Sequence, residues 1–150
     1  LDGFTHQFAK SYLDKHQPDF IYIAYGETDD FAHDGDYESY IKSTKNTDAL
    51  IEDLWNYTQK SDYYRGKTTF IIGTDHGRGT DPLDSWRSHG TDIKGSDQTW
   101  IIIFGKGVKN LGEVTNGGQL YNNQLAPTVR MLFKLTQIEE KGYGLPIRLN

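Results

Sequence analysis

The chain contains no cysteine. That excludes disulfide staples, thiolate metal sites and cysteine nucleophiles together, and it says little about compartment. Basic runs are missing as well: 16 Lys and Arg stand against 21 Asp and Glu, a formal net charge of -5. A phosphate-neutralising surface is therefore not expected, and neither is nucleic acid as a partner. No apolar stretch approaches the roughly 20 residues that a membrane span needs. Methionine is scarce and tyrosine abundant, one against ten, which points to amphipathic packing and to no chemistry in particular. With 150 residues and 35 % hydrophobic content, the chain is long enough for a packed core and fits a single domain by length. Leu1-Asp2-Gly3 is neither an initiator methionine nor a signal peptide, so a piece of a longer protein is expected.

Helices and strands alternate in the pattern. Apolar residues at 4, 8, 12 and 13 predict a helix over 4–16, ended by Pro18. Residues 20–25, Phe-Ile-Tyr-Ile-Ala-Tyr, predict a buried strand closed by Gly26. Residues 37–59 carry the clearest helical period, and Asp36 before them is an N-cap type. The Asn56-Tyr57-Thr58 triplet fits a glycosylation sequon, but it falls inside this helix. A second strand is predicted over 67–73 and a third over 100–104, followed by the Gly105-Lys106-Gly107 turn. Residues 77–98, polar and rich in Gly, Asp and Ser, form a long loop of the kind that carries function. A last helix over 122–135 has Pro127 in its first turn, where proline is tolerated, and 136–150 is loop-like. Apolar strands alternating with helices predict parallel β-α-β units in a layered α/β domain, with one sheet edge left open.

Three of the five histidines stand in two short clusters and just beyond: Asp29-Asp30-Phe31-Ala32-His33, then Thr74-Asp75-His76-Gly77, then Ser88-His89-Gly90. Neutral imidazole and carboxylate are ligands that divalent zinc and manganese accept. Both clusters follow an apolar run, at the strand ends where ligands bind in open α/β sheets. Asp29 and His33 stand at i and i+4, so a helical turn after Gly26 aims both at one ion. Asp75 and His76 are adjacent and diverge unless the backbone turns, which Gly77 and Gly79 permit. Arg78 and Arg87 in the following loop are suited to hold phosphate or sulfate oxygens through bidentate contacts. Singly, each residue has an ordinary reading. Asp29 or Asp30 suits a helix N-cap, His33 or His89 a surface histidine, and either arginine a loop ion pair. Trp86 and Tyr25 are open to cleft lining or core packing. Order and placement together favour a metal site.

Gly26-Glu27-Thr28-Asp29 through His33, Thr74-Asp75-His76-Gly77 and His89-Gly90 resemble the C-terminal half of the alkaline phosphatase superfamily. That superfamily includes phosphoglycerate mutase, phosphopentomutase, nucleotide phosphodiesterase and sulfatase branches. Gln124-Leu125-Ala126-Pro127-Thr128, leading into Met131-Leu132-Phe133, resembles the segment before its last helix. The resemblance runs from about residue 18 to 135. It implies a layered α/β/α fold with a mostly parallel sheet, of which residues 1–150 are the C-terminal metal-binding portion. It further implies two divalent ions, zinc or manganese: Asp29, His33 and His89 on one, Asp75 and His76 on the other. The superfamily takes an Asp ligand and a Ser or Thr nucleophile from its N-terminal half, and nothing before residue 18 matches them.

The expected activity is hydrolysis of small phosphate or sulfate esters by two-metal in-line displacement. The missing N-terminal portion of the same protein is the expected partner, and a periplasmic or extracellular setting is compatible with the resemblance. A phosphomutase of the same superfamily is the alternative in the same class, and a non-catalytic metal-binding scaffold the alternative outside it. The isolated chain is expected to bind zinc or manganese weakly and to leave p-nitrophenyl phosphate intact.

Overall fold

The protein is described by a computed structural model covering residues 1–137 and 141–149. Its contacts divide the chain into two compact units, Leu1–Thr68 with His76–Gln98, and Thr69–Asp75 with Thr99–Asn150.

The first unit carries three helices, α1 (Asp2–His16), α2 (Glu27–Asp34) and α3 (Tyr37–Lys60). The period read over 4–16 is α1, which buries Ala9 and Leu13 and stops at Gln17 in the left-handed region. Asp36 caps α3 as expected, its carboxylate accepting the Ser39 N–H at 3.0 Å. That bond holds the Asp36 carboxyl below its ordinary value. At the far end of α3, Leu54 and Thr58 are buried. Beyond it the Tyr64 hydroxyl donates to the Leu13 carbonyl at 3.3 Å, closing the chain back onto α1.

A buried histidine of α1 reaches across to α3. His6 has no exposed surface, and its ring meets the Tyr25 hydroxyl at 2.9 Å and the Asp53 carboxylate at 2.8 Å. Lys10 donates to the same Asp53 oxygen at 2.6 Å. Lys10 first and His6 second hold the Asp53 carboxyl below its ordinary value. Burial, then the Asp2 and Asp53 carboxylates, push the Tyr25 phenol up, so it stays a hydroxyl. Tyr25 is thus a packing residue.

Residues 20–25 depart from the expectation. Their exposure alternates, with Phe20, Tyr22 and Ala24 exposed and Ile21, Ile23 and Tyr25 half-buried, but they form no strand and pair with none among the described residues. A β-branched run favours extended backbone, whereas a ladder needs a neighbour that propensity does not supply.

The second unit holds β1 (Thr69–Gly73) and β2 (Ile101–Gly105). Both were expected, within two residues. Their pairing is antiparallel, Phe70 opposite Phe104 and Ile72 opposite Ile102, and so is not one of the expected parallel β-α-β pairings. Parallel pairing needs a crossover, usually helical; residues 74–100 contain a 3-10 turn at Leu83–Arg87 and no α-helix. The described residues therefore combine helices with a two-stranded antiparallel sheet and show no layered parallel sheet.

The last helix, α4 (Leu125–Leu132), is shorter than the expected 122–135, because residues 122–124 form a 3-10 turn and the far end stops before Lys134, which lies in the left-handed region. Of the loop expected over 136–150, residues 138–140 and 150 lie outside the described residues. Ile147 and Leu149 are buried. Fully buried Thr128 donates to the Gln124 carbonyl at 2.7 Å and accepts the Ile147 N–H at 2.8 Å. Thr128→Val keeps the volume but leaves that buried N–H unpaired, which costs about 1–3 kcal/mol. Urea unfolding of the variant should show the loss; an unchanged midpoint would contradict the packing described. Among the described residues no helix is long and apolar enough to cross a membrane.

Candidate metal centre

The centre is built within the first unit. After Gly26 the chain enters α2, whose first turn carries Glu27, Asp29 and Asp30. Carboxylates there suit the positive end of the helix. Gly35, at φ 76, stops the helix after two turns. Asp29 and His33 consequently share one face, with Asp29 Oδ1 at 3.5 Å from His33 Nε2. The neighbouring Asp30 is exposed.

The loop after β1 brings the other imidazoles. Its backbone is tied on both sides: Gly77 N–H to the Ser96 carbonyl at 2.8 Å, Gly79 N–H to Ser88 at 3.1 Å, and Thr80 N–H to Lys94 at 3.0 Å. Residues 77–80 are thus sandwiched between two stretches of the same loop. Close approach explains the glycine at 77, where a Cβ would stand 2.3 Å from the Gln98 carbonyl oxygen. So held, His89 Nε2 lies 3.6 Å from Asp29 Oδ1 and 3.1 Å from His33 Nε2. His76 Nε2 lies 3.7 Å from the same Asp29 oxygen, its ring stacked on His89 with centroids 3.6 Å apart.

The His76 tautomer follows from its other nitrogen. Nδ1 sits 2.9 Å from the Gly77 carbonyl oxygen, which accepts only from an N–H. A neutral ring donating there carries its proton on Nδ1, which leaves Nε2 as the nitrogen able to ligate an ion. Ligating histidines are oriented by this kind of carbonyl partner.

The donor set fits a divalent ion. Among the described residues, Asp29, His33 and His89 are the group able to offer three ligand atoms to one ion. The edges of the triangle are 3.1, 3.5 and 3.6 Å. Tetrahedral bonds of about 2.0–2.1 Å place ligand atoms about 3.3–3.4 Å apart.

Arg78 also reaches this centre. Its Nη2 donates to Asp29 Oδ1, its side chain is only 16 % exposed, and its Nη1 is buried with no hydrogen-bond partner among the described residues. Arg87 goes elsewhere: its guanidinium packs on Gly35, where a Cβ would come within 2.6 Å of Cζ. Trp86 packs edge-on against Tyr37, with centroids 5.2 Å apart, and against Tyr40. It braces the loop on α3. Asp75 falls in the second unit, where its carbonyl and that of Thr74 both accept from Asn122 Nδ2, at 3.1 and 2.9 Å. The boundary between the two units falls between Asp75 and His76, and His76 joins the cluster around Asp29. Spacing in the sequence held no sign of that meeting. A cleft of about 760 Å³ opens beside His76 and His89, with Thr91, Ile93, Lys94 and Gln98 among its walls.

Residues 5–137 match the Metalloenzyme superfamily. The chain belongs to that family. No curated protein and no solved structure matches it. Membership in the Metalloenzyme superfamily, consistent with the alkaline-phosphatase-like resemblance, brings metal ions and metal-dependent catalysis of the family's kind. In this member the Asp29, His33 and His89 group is a candidate site for such an ion.

Proposed function

We propose that this centre serves the hydrolysis of small phosphate or sulfate esters by in-line displacement, with zinc or manganese on Asp29, His33 and His89. The reading includes a second divalent ion, as the resemblance to the alkaline phosphatase superfamily implies. Bound ions would lower the pKa of a nucleophilic hydroxyl and neutralise charge on the leaving oxygen. The observation that carries the reading is the convergence of three imidazole Nε2 atoms and one guanidinium on a single Asp29 oxygen.

The chain's own groups have distinct tasks. Asp29 supplies the anionic ligand and, through Arg78, anchors a cation beside it. The unpartnered Arg78 Nη1 offers donors to an oxyanion, which charge-assisted contacts favour over neutral ones. Arg87 contributes by holding the end of α2. The cleft beside His76 and His89 receives the rest of the ester. The covalent Ser or Thr belongs, in this reading, to an N-terminal portion of a longer protein that joins this chain in a layered α/β/α fold.

Zinc titration by calorimetry tests the centre, and inorganic phosphate added to the zinc-loaded chain tests the chemistry. Arg78→Ala should weaken phosphate binding about 10-fold or more, since hydrogen bonds to charged groups contribute about 1.5–3 kcal/mol. The isolated chain should leave p-nitrophenyl phosphate intact. No zinc uptake, or phosphate binding indifferent to Arg78, sinks the reading.

A further inference from the structure

Helix α1 buries polar residues that an amphipathic helix has no need to bury. Asp2 is 6 % exposed and His6 is wholly enclosed. Both act on the short stretch that leads into α2. The Asp2 carboxylate accepts two backbone N–H groups, Gly26 at 2.9 Å on Oδ1 and Glu27 at 3.2 Å on Oδ2. Gly26 is the N-cap of α2 and makes no side-chain cap. Glu27 N–H is one of the first-turn donors with no partner inside a helix, and its acceptor comes from α1.

His6 works one residue upstream. It meets the Tyr25 hydroxyl on one side and is anchored through Asp53 and Lys10 on the other. An Asp53–His6–Tyr25 chain has the form of an acid–base relay, but an imidazole with no exposed surface meets no substrate. Its effect is mechanical: Tyr25, Gly26 and Glu27 are held at three consecutive residues.

We infer that Asp2 and His6 are positioning residues for the metal centre, fixing where α2 begins and which way its face turns. The consequence for metal rests on the proposed function; the arrangement of the ligand side chains does not. Helix α2 has eight residues, too few to be stable alone. Each residue turns a helix by about 100°, so a slip of one residue at its start carries Asp29 and His33 away from His89. The Arg87–Gly35 contact holds the other end. Asp2 thereby sets the geometry of a site that it does not touch.

The test compares Asp2→Ala, Tyr25→Phe and Tyr64→Phe with the parent chain. Tyr64→Phe removes a buried hydroxyl bond to α1 at Leu13 and controls for lost stability away from residues 25–27. Two readouts are taken: ring-to-ring NOEs between His33 and His89 without metal, and zinc affinity by calorimetry. Asp2→Ala should lose the NOEs and weaken zinc binding about 10-fold, Tyr25→Phe about 3-fold, and Tyr64→Phe neither. Asp2→Ala and Tyr25→Phe matching the parent in both readouts would overturn the inference, as would Tyr64→Phe losing as much as Asp2→Ala. If the parent shows the NOEs but takes up no zinc, and Asp2→Ala still loses them, the positioning role stands and the metal reading alone fails.

Discussion

Asp29→Ala is expected to abolish zinc binding by this chain. The Asp29 Oδ1 atom lies 3.5, 3.6 and 3.7 Å from the Nε2 atoms of His33, His89 and His76. It is the only anionic member of the three-residue group. Without it, neutral imidazoles face a divalent ion with the Arg78 guanidinium beside them, no longer offset. Loss of an outer partner of a ligand costs about 10–100-fold in metal affinity, so loss of the charged ligand itself should exceed about 100-fold. Asp30→Ala, one residue along and exposed, removes the same formal charge from the same helix and should bind zinc like the parent. Calorimetry of the two variants side by side separates a coordination effect from a general loss of acidity. Equal zinc affinity in both would show that Asp29 is no ligand.

Gly79→Ala should cost about 3 kcal/mol, the upper end of the usual range for overpacking. An added Cβ would stand 2.2 Å from the Ser85 carbonyl oxygen and 2.6 Å from its carbon. That obstacle is backbone, so no rotamer change relieves it. The residues pushed aside lie in the 3-10 turn Leu83–Arg87, which leads into His89, so zinc affinity should fall along with stability. Gly3 in α1 provides the contrast, with nothing within 4 Å of an added Cβ. Gly3→Ala should stabilise by about 0.4–1 kcal/mol, because alanine loses less chain entropy in a helix. Urea unfolding measures both substitutions. A Gly79→Ala midpoint equal to the parent's would mean that the loop is looser than its three backbone ties imply.

The residues that sequence reading reached share one property: their placement is decided by neighbours within a turn or two. The 3.6-residue period places α1 and α3, Asp36 caps α3 through a residue three along, and the apolar runs find β1 and β2. Asp29 and His33 come together because i and i+4 share a helix face. What was missed depends on partners far along the chain. Residues 20–25 have the composition of a strand, yet the described residues supply no neighbour. The β1–β2 pair runs antiparallel because the connection between them makes no helix. The resemblance implied an ion shared by His76 and Asp75; that the loop ties at Gly77, Gly79 and Thr80 also bring His76 beside Asp29 was not legible.

The arginines show the same division. Arg78 and Arg87 looked equivalent in the sequence; the fold takes one to Asp29 and the other to Gly35. Asp2 and His6 offered no signal at all, because a carboxylate and an imidazole in a helical period look like solvated residues until another segment's N–H and hydroxyl groups are set against them. By itself, then, the sequence determined the candidate ligand types, the absence of thiol chemistry, the helices and the Asp29–His33 pair, all of which follow from composition and short-range geometry. Tertiary structure alone decided which imidazoles meet that pair and what aims it, because hydrogen bonds between residues tens of positions apart depend on how the chain is folded back, and no local period encodes that.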